Sequence, residues 1–331
     1  MKAGQSNNAL LQYEAGQDQV AMHEMTTTDN QTFAASDAPW SNAPGFEPTI
    51  LPDGIATGGA ITPTSSTNDS VDVAAATAYQ AGELITVASA SLASVDGLAS
   101  PGAGEYVTHS IIINDSGAYA VQEGTATTDQ SGFSTTRDAA GGPPLIPVGA
   151  IEVGQVKMKD AAAQVIDSDI NQIDGVSTER YDAPTFTEDF TEGTVKFISE
   201  LPEIHTGGVC KSVYAEVYTP VFADLEPTAD FVPPETSHSI SSTEVYGGAI
   251  GSSSSSLGQA SFTAYLKDGI TDPIVKQKNK ELWWRFYRDR LKTPYILFQG
   301  IFGISRSFPA GGNVQASCTI TPAAAGVDKA E

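Results

Sequence analysis

The chain is poor in cysteine, in charge and above all in basic residues. Its 331 residues hold two Cys, Cys210 and Cys318, which lie too far apart to make a disulfide framework or a zinc cluster. Two small buried thiols are the expectation. Charged residues make up 17 %, with 17 Lys and Arg against 40 Asp and Glu, a net charge of −23. Such a balance repels phosphate, so general binding to DNA or anionic lipid through the whole surface is excluded. No run approaches the roughly 18 apolar residues of a membrane span. The start, Met1-Lys2-Ala3-Gly4-Gln5-Ser6-Asn7-Asn8, has no apolar core of signal-peptide length, so synthesis and assembly in the cytoplasm are expected.

Recognisable chemistry is also sparse. The sequence contains no Gly-x-x-x-x-Gly-Lys loop, no Gly-x-Ser-x-Gly elbow and no His-Glu-x-x-His pair. His205-Thr206-Gly207-Gly208 is the most enzyme-like fragment, but no nucleophile can be placed beside it, and a loop histidine at a turn explains it as well. Asp167-Ser168-Asp169 begins like a calcium loop; Gln172 and Thr178 then stand where that loop needs Gly and Glu, so the match fails. No cofactor or metal is expected. A hydrolase on a β scaffold would need a nucleophile and base that are not visible.

What is present is an uneven charge. Residues 1–238 carry 7 basic and 33 acidic side chains, a net of −26, and residues 239–331 carry 10 basic and 7 acidic, a net of +3. Between Ala3 and Thr136 there is no Lys or Arg at all, whereas seven of the 17 basic residues fall between Lys276 and Lys292. Three parts follow. Residues 1–38 are polar and read as an arm. Residues 39–180 are β-rich, with Pro-dense extended chain at the start. Residues 181–331 read as a core domain.

Strand signals recur. Tyr106 to Ile113 reads as a strand, closed by the turn Asn114-Asp115-Ser116-Gly117, with Ala118 to Val121 as hairpin partner. Ala150 to Val156 is another strand. In the last third, Ser261 to Leu266 alternates and predicts a strand. Asp272-Pro273 fits a helix start, and Leu282, Trp283, Phe286, Tyr287 and Leu291 fall on one stripe, which predicts a helix from 273 to about 292. Its aromatics could stack bases, but aromatics at helical spacing more often form core. Tyr295 to Phe308 reads as a β run, and Val314, Ala316, Cys318 and Ile320 alternate with polar residues as a half-buried strand. Gly251 to Gly258, with five serines, reads as a flexible loop.

One resemblance emerges over residues 240–326. Its residues are Gly258-Gln259-Ala260-Ser261-Phe262-Thr263, the Trp-containing segment, Phe298-Gln299-Gly300-Ile301-Phe302-Gly303-Ile304, and Val314-Gln315-Ala316-Ser317-Cys318-Thr319-Ile320. This succession resembles the major tail tube proteins of long, non-contractile-tailed bacteriophages. The resemblance implies a mainly β fold, an antiparallel β-sandwich or barrel with one flanking α-helix, beside an additional β-rich region in the first part. It also implies hexameric rings of the same chain stacked into a tube in the virion tail, with tape-measure and tail terminator proteins as partners. DNA would pass through the lumen without specific binding, and no membrane or catalysis would be involved. Lys276, Arg285 and Arg288 are the candidate inter-subunit contacts. A virion or cell-surface binding module, such as a fibre or glycan-binding β protein, is the alternative.

Overall fold

A computed structural model describes residues 8–64, 69–93, 96–128, 132–160, 164–172, 185–225, 227–246 and 248–330. Strands take 54 % of the chain and helical turns 3 %, so the fold is mainly β. The sheets are antiparallel, and among the described residues none closes into a barrel. The chain divides into two compact units. One comprises Met1–Gln19, Ala43–Phe46 and Tyr218–Glu331; the other comprises Val20–Asn42 and Glu47–Val217. The first 38 residues are thus shared between both units, and the expected boundary at 180 lies outside the described residues.

In the unit that contains Tyr218–Glu331, one sheet holds most of the packing. Its strands run in the order Thr228–Val232, Ala260–Tyr265, Gln315–Pro322, Tyr295–Ser307, Glu281–Tyr287 and Leu10–Glu24. Val213–Leu225, whose second half belongs to this unit, comes next in the order. The alternation read in the sequence is met: Ala316, Cys318 and Ile320 are fully buried while Gln315, Ser317 and Thr319 are exposed. Their neighbours in the core are Leu11, Tyr13, Phe262, Trp284, Phe298 and Phe302. Trp284 lies 5.2 Å from the Phe302 ring and 5.7 Å from Phe262, within the range in which aromatic pairs add to their buried area. Gly300 is required by a close approach of strands, because a Cβ there would stand 2.6 Å from the Thr321 carbonyl oxygen.

The helix expected over 273–292 does not form, and with it goes the flanking helix of the expected fold. Pro273–Gln277 is one 3-10 turn, and Glu281–Tyr287 is a central strand paired with Tyr295–Ser307 on one side and Leu10–Tyr13 on the other. Asn279 marks the break with a left-handed backbone, φ 64°, and its N–H donates to the Phe302 carbonyl at 2.8 Å. The segment that suggested a helix also contains Leu282, Trp284 and Phe286 at period two. Trp283, on the opposite face, is buried as well. A strand covered on both faces reads as a near-continuous apolar run, which periodicity alone cannot tell from a buried helix. The tryptophans and Phe286 favour the pleated form.

The other unit carries two larger cores. One gathers Ile55, Val71, Ala78, Val107, Ile111, Val153 and Val156. Tyr106–Ile113 pairs with Tyr119–Gln122, the hairpin expected from the sequence, and on its other side with Ile151–Lys159. The second core surrounds Phe33, Trp40 and Phe197, with Phe33 and Phe197 edge-to-face at 5.5 Å. Arg137, the first basic residue after Lys2, is spent inside. Its guanidinium donates to Glu152 at 2.6 Å and to the Pro144 carbonyl at 2.6 Å, and Ser110 donates to the same carboxylate. Cys210 and Cys318 are free and buried. Burial pushes the Cys318 thiol up to about 12.

Candidate assembly surface

Two features of the Tyr218–Glu331 unit stand apart from its core. The first is a long hairpin. Thr236–Val245 pairs with Gly248–Leu257 through ten consecutive residue pairs without a bulge. At about 3.3 Å per residue it is roughly 33 Å long. These two strands form a sheet of their own. Every side chain described within it is exposed.

One face is a hydroxyl ladder: Ser237 meets Ser256 at 2.9 Å, Ser239 meets Ser254 at 2.7 Å and Ser241 meets Ser252 at 2.7 Å. The other face presents His238 and Ile240 across from Ser255 and Ser253, with Ile240 84 % exposed. Tyr246, at the far end, is fully exposed. A two-stranded hairpin without a covered face is marginal in water. Cross-strand hydroxyl pairs add roughly 0.2–1 kcal/mol each, too little to replace a core. Proteins normally blunt exposed edges with lysine, proline, bulges or a covering element. This hairpin has no Lys, Arg or Pro between Thr236 and Leu257.

Gly251 to Leu257 is therefore strand, and the flexible loop expected there is corrected. A serine run hides a strand because its side chains show no apolar alternation. The usable signal was the Gly247-Gly248 pair between two polar runs of equal length.

The second feature is the basic segment. Arg285 and Arg288 stand on and just after the Glu281–Tyr287 strand, while Lys276 stays exposed on the preceding 3-10 turn. Arg285 is opposite Gln12 in the neighbouring strand. Its guanidinium carbon lies 4.0 Å from the Phe222 ring centre and 4.7 Å from that of Tyr295. Arg288 is exposed beside an apolar groove of about 420 Å³ lined by Phe286, Pro294, Tyr295, Ile296 and Lys329. Next to this segment the Leu10–Tyr13 ladder ends at Glu14, whose buried carboxylate accepts the Trp283 N–H at 3.0 Å in place of a strand carbonyl. Burial raises the Glu14 carboxyl above its ordinary value, against these hydrogen bonds.

His205 is buried, and its Nδ1 lies 2.9 Å from the Pro147 carbonyl oxygen. Burial lowers its affinity for a proton. Asp167–Asp169 is a 3-10 turn; position 178 of the attempted calcium loop lies outside the described residues. Among the described residues no three or more His, Cys, Asp or Glu are grouped to hold a metal ion. Among the described residues no helix is long and apolar enough to cross a membrane.

No protein-family model, curated protein sequence or solved structure matches this chain.

Proposed function

We propose that this chain is a structural subunit that assembles with copies of itself, and that the assembly is the tail tube of a long, non-contractile-tailed bacteriophage. The observation that carries the reading is the Thr236–Leu257 hairpin. It is long, bulge-free and uncovered, and it offers two unblunted edges to a strand from another copy. Six copies close a ring, the hairpins complete pairing across subunits, and rings stack into a tube. The antiparallel sheets are arranged as a sandwich in the ring. The net charge of −23 suits a conduit, since every Lys or Arg contact to phosphate adds affinity by counterion release and slows passage. Tape-measure and tail terminator proteins are the partners, and the virion tail is the location.

Negative-stain microscopy of the purified chain tests the proposal together with a blunted hairpin, Ser253→Lys with Ser255→Lys. Hollow tubes or six-fold rings are expected from the parent chain and single subunits from the variant. A discrete compact trimer that survives in the variant would favour a fibre-type binding module.

A further inference from the structure

Arg285 is packed against rings, and among the described residues no carboxylate forms an ion pair with it. The guanidinium packs over Phe222 and Tyr295, and its Nε is buried without a hydrogen-bond partner. Stacking covers the faces of the guanidinium and holds its plane. Asp224 accepts the side-chain amide of Gln12, the residue opposite Arg285 in the neighbouring strand, at 2.8 Å. Gln12 in turn keeps a buried Oε1 with no partner. Beside them runs a groove of about 450 Å³ lined by Leu10, Gln12, Tyr287, Tyr295, Arg290 and Lys292. Arg290, one of its lining residues, donates to the Asn8 and Ala9 carbonyls. A planar cation stacked on Tyr295 thus adjoins a groove lined by two further cations and by Tyr287 and Tyr295.

We propose that this face is a receptor for a Glu- or Asp-bearing segment of a second copy of this chain, with Arg285 as the carboxylate anchor. The argument for the occupant is charge complementarity. Residues 239–331 carry a net +3, seven of their ten basic side chains lie in this segment, and residues 1–238 carry 33 acidic against 7 basic residues. The carboxylate lies in the guanidinium plane and takes two parallel N–H donors, the geometry in which arginine binds acids best. Lys292 and Arg290 receive the neighbouring acids, and the tyrosines pack against the stems. The choice of a second copy rests on the assembly reading above; the receptor itself does not.

The experiment therefore has two arms. In the first, a hexaglutamate peptide is titrated by calorimetry at low ionic strength into the full chain, into Arg285→Met, which keeps the packing over the rings, and into Arg285→Lys, which keeps the charge. Binding to the parent chain is expected. It should weaken at least about tenfold in Arg285→Met and several-fold in Arg285→Lys, with thermal midpoints unchanged. Equal binding by all three, or no binding to the parent, overturns the receptor. So does tighter binding of a short DNA duplex than of the peptide, since that would assign the face to phosphate. In the second arm, sedimentation follows self-association with and without the peptide. Inhibition of the parent's assembly is expected, and assembly of Arg285→Met should be impaired. If the parent assembles and the peptide leaves that assembly unchanged, the second copy is the wrong occupant. If the parent stays a single copy at every concentration, the assembly reading fails while the first arm still decides the receptor.

Discussion

Two antiparallel strand pairs of the same unit make opposite use of pairing. In Glu281–Tyr287 with Tyr295–Ser307, Leu282, Trp283, Trp284, Phe298 and Phe302 are buried, so the ladder sits inside a core. In Thr236–Val245 with Gly248–Leu257 the ladder is longer and no described side chain is buried. Backbone hydrogen bonds gain little net stability against water, about 1 kcal/mol each or less, and hydrophobic burial is what holds an ordinary sheet. The first pair is therefore explained by the chain itself. The second is explained only if something outside the chain covers it, which is why function is sought at the hairpin.

The largest effect that sharpens this contrast is expected at Trp284. Trp284→Ala removes a fully buried ring between Phe262, Phe302 and Tyr13, and should destabilise the Tyr218–Glu331 unit by about 3–5 kcal/mol in chemical denaturation. A loss under about 1 kcal/mol would mean that this sheet is not held by its aromatic core. Next comes Arg137→Met in the other unit, which strands the buried Glu152 carboxylate. A loss of about 3 kcal/mol is expected, largely restored when Glu152→Gln is added. No recovery in the double variant would show that the pair is not the cause.

Asp53 predicts an effect that depends on pH. It is buried, accepts the Ala81 N–H at 3.0 Å, and burial pushes its carboxyl from 3.8 up to about 7. The folded chain keeps the proton where the unfolded chain has lost it. This contribution is thus full below about pH 4 and is lost as pH rises to about 7, by up to about 4 kcal/mol. Asp53→Asn should flatten that part of the stability profile, and an unchanged slope would place the titration elsewhere. The smallest effect belongs to the hairpin. Ser239→Ala with Ser254→Ala should change the stability of the single copy by less than about 0.5 kcal/mol, since both hydroxyls are exposed. A loss of several kcal/mol would make the hairpin part of the chain's own core and remove the contrast.

Much of the β architecture was legible. Tyr106 to Ile113 announces itself by β-branched residues and an Asn-Asp-Ser-Gly turn, and Val314 to Ile320 by strict alternation into a one-sided core. The basic segment failed because a strand covered on both faces and a wide helical stripe share the same consecutive apolar residues, and Asp272-Pro273 added a true cap signal for what is only a 3-10 turn. The hairpin failed for the reverse reason. Its strands bury nothing, so no hydrophobic period marks them, and only the equal lengths around Gly247-Gly248 hint at the fold. The site around Arg285 was half legible: the cations were visible, but Phe222 comes from a separate strand and Gln12 reaches the site through pairing across more than 200 residues of chain.

Hydrogen exchange of the Thr236–Leu257 amides, compared between dilute single copies and the concentrated assembly, tests the central claim most directly. Fast exchange in the single copy and strong protection in the assembly, on both strands, is the predicted result. Equal exchange in the two states would contradict the account, because the hairpin would then find no partner in the assembly.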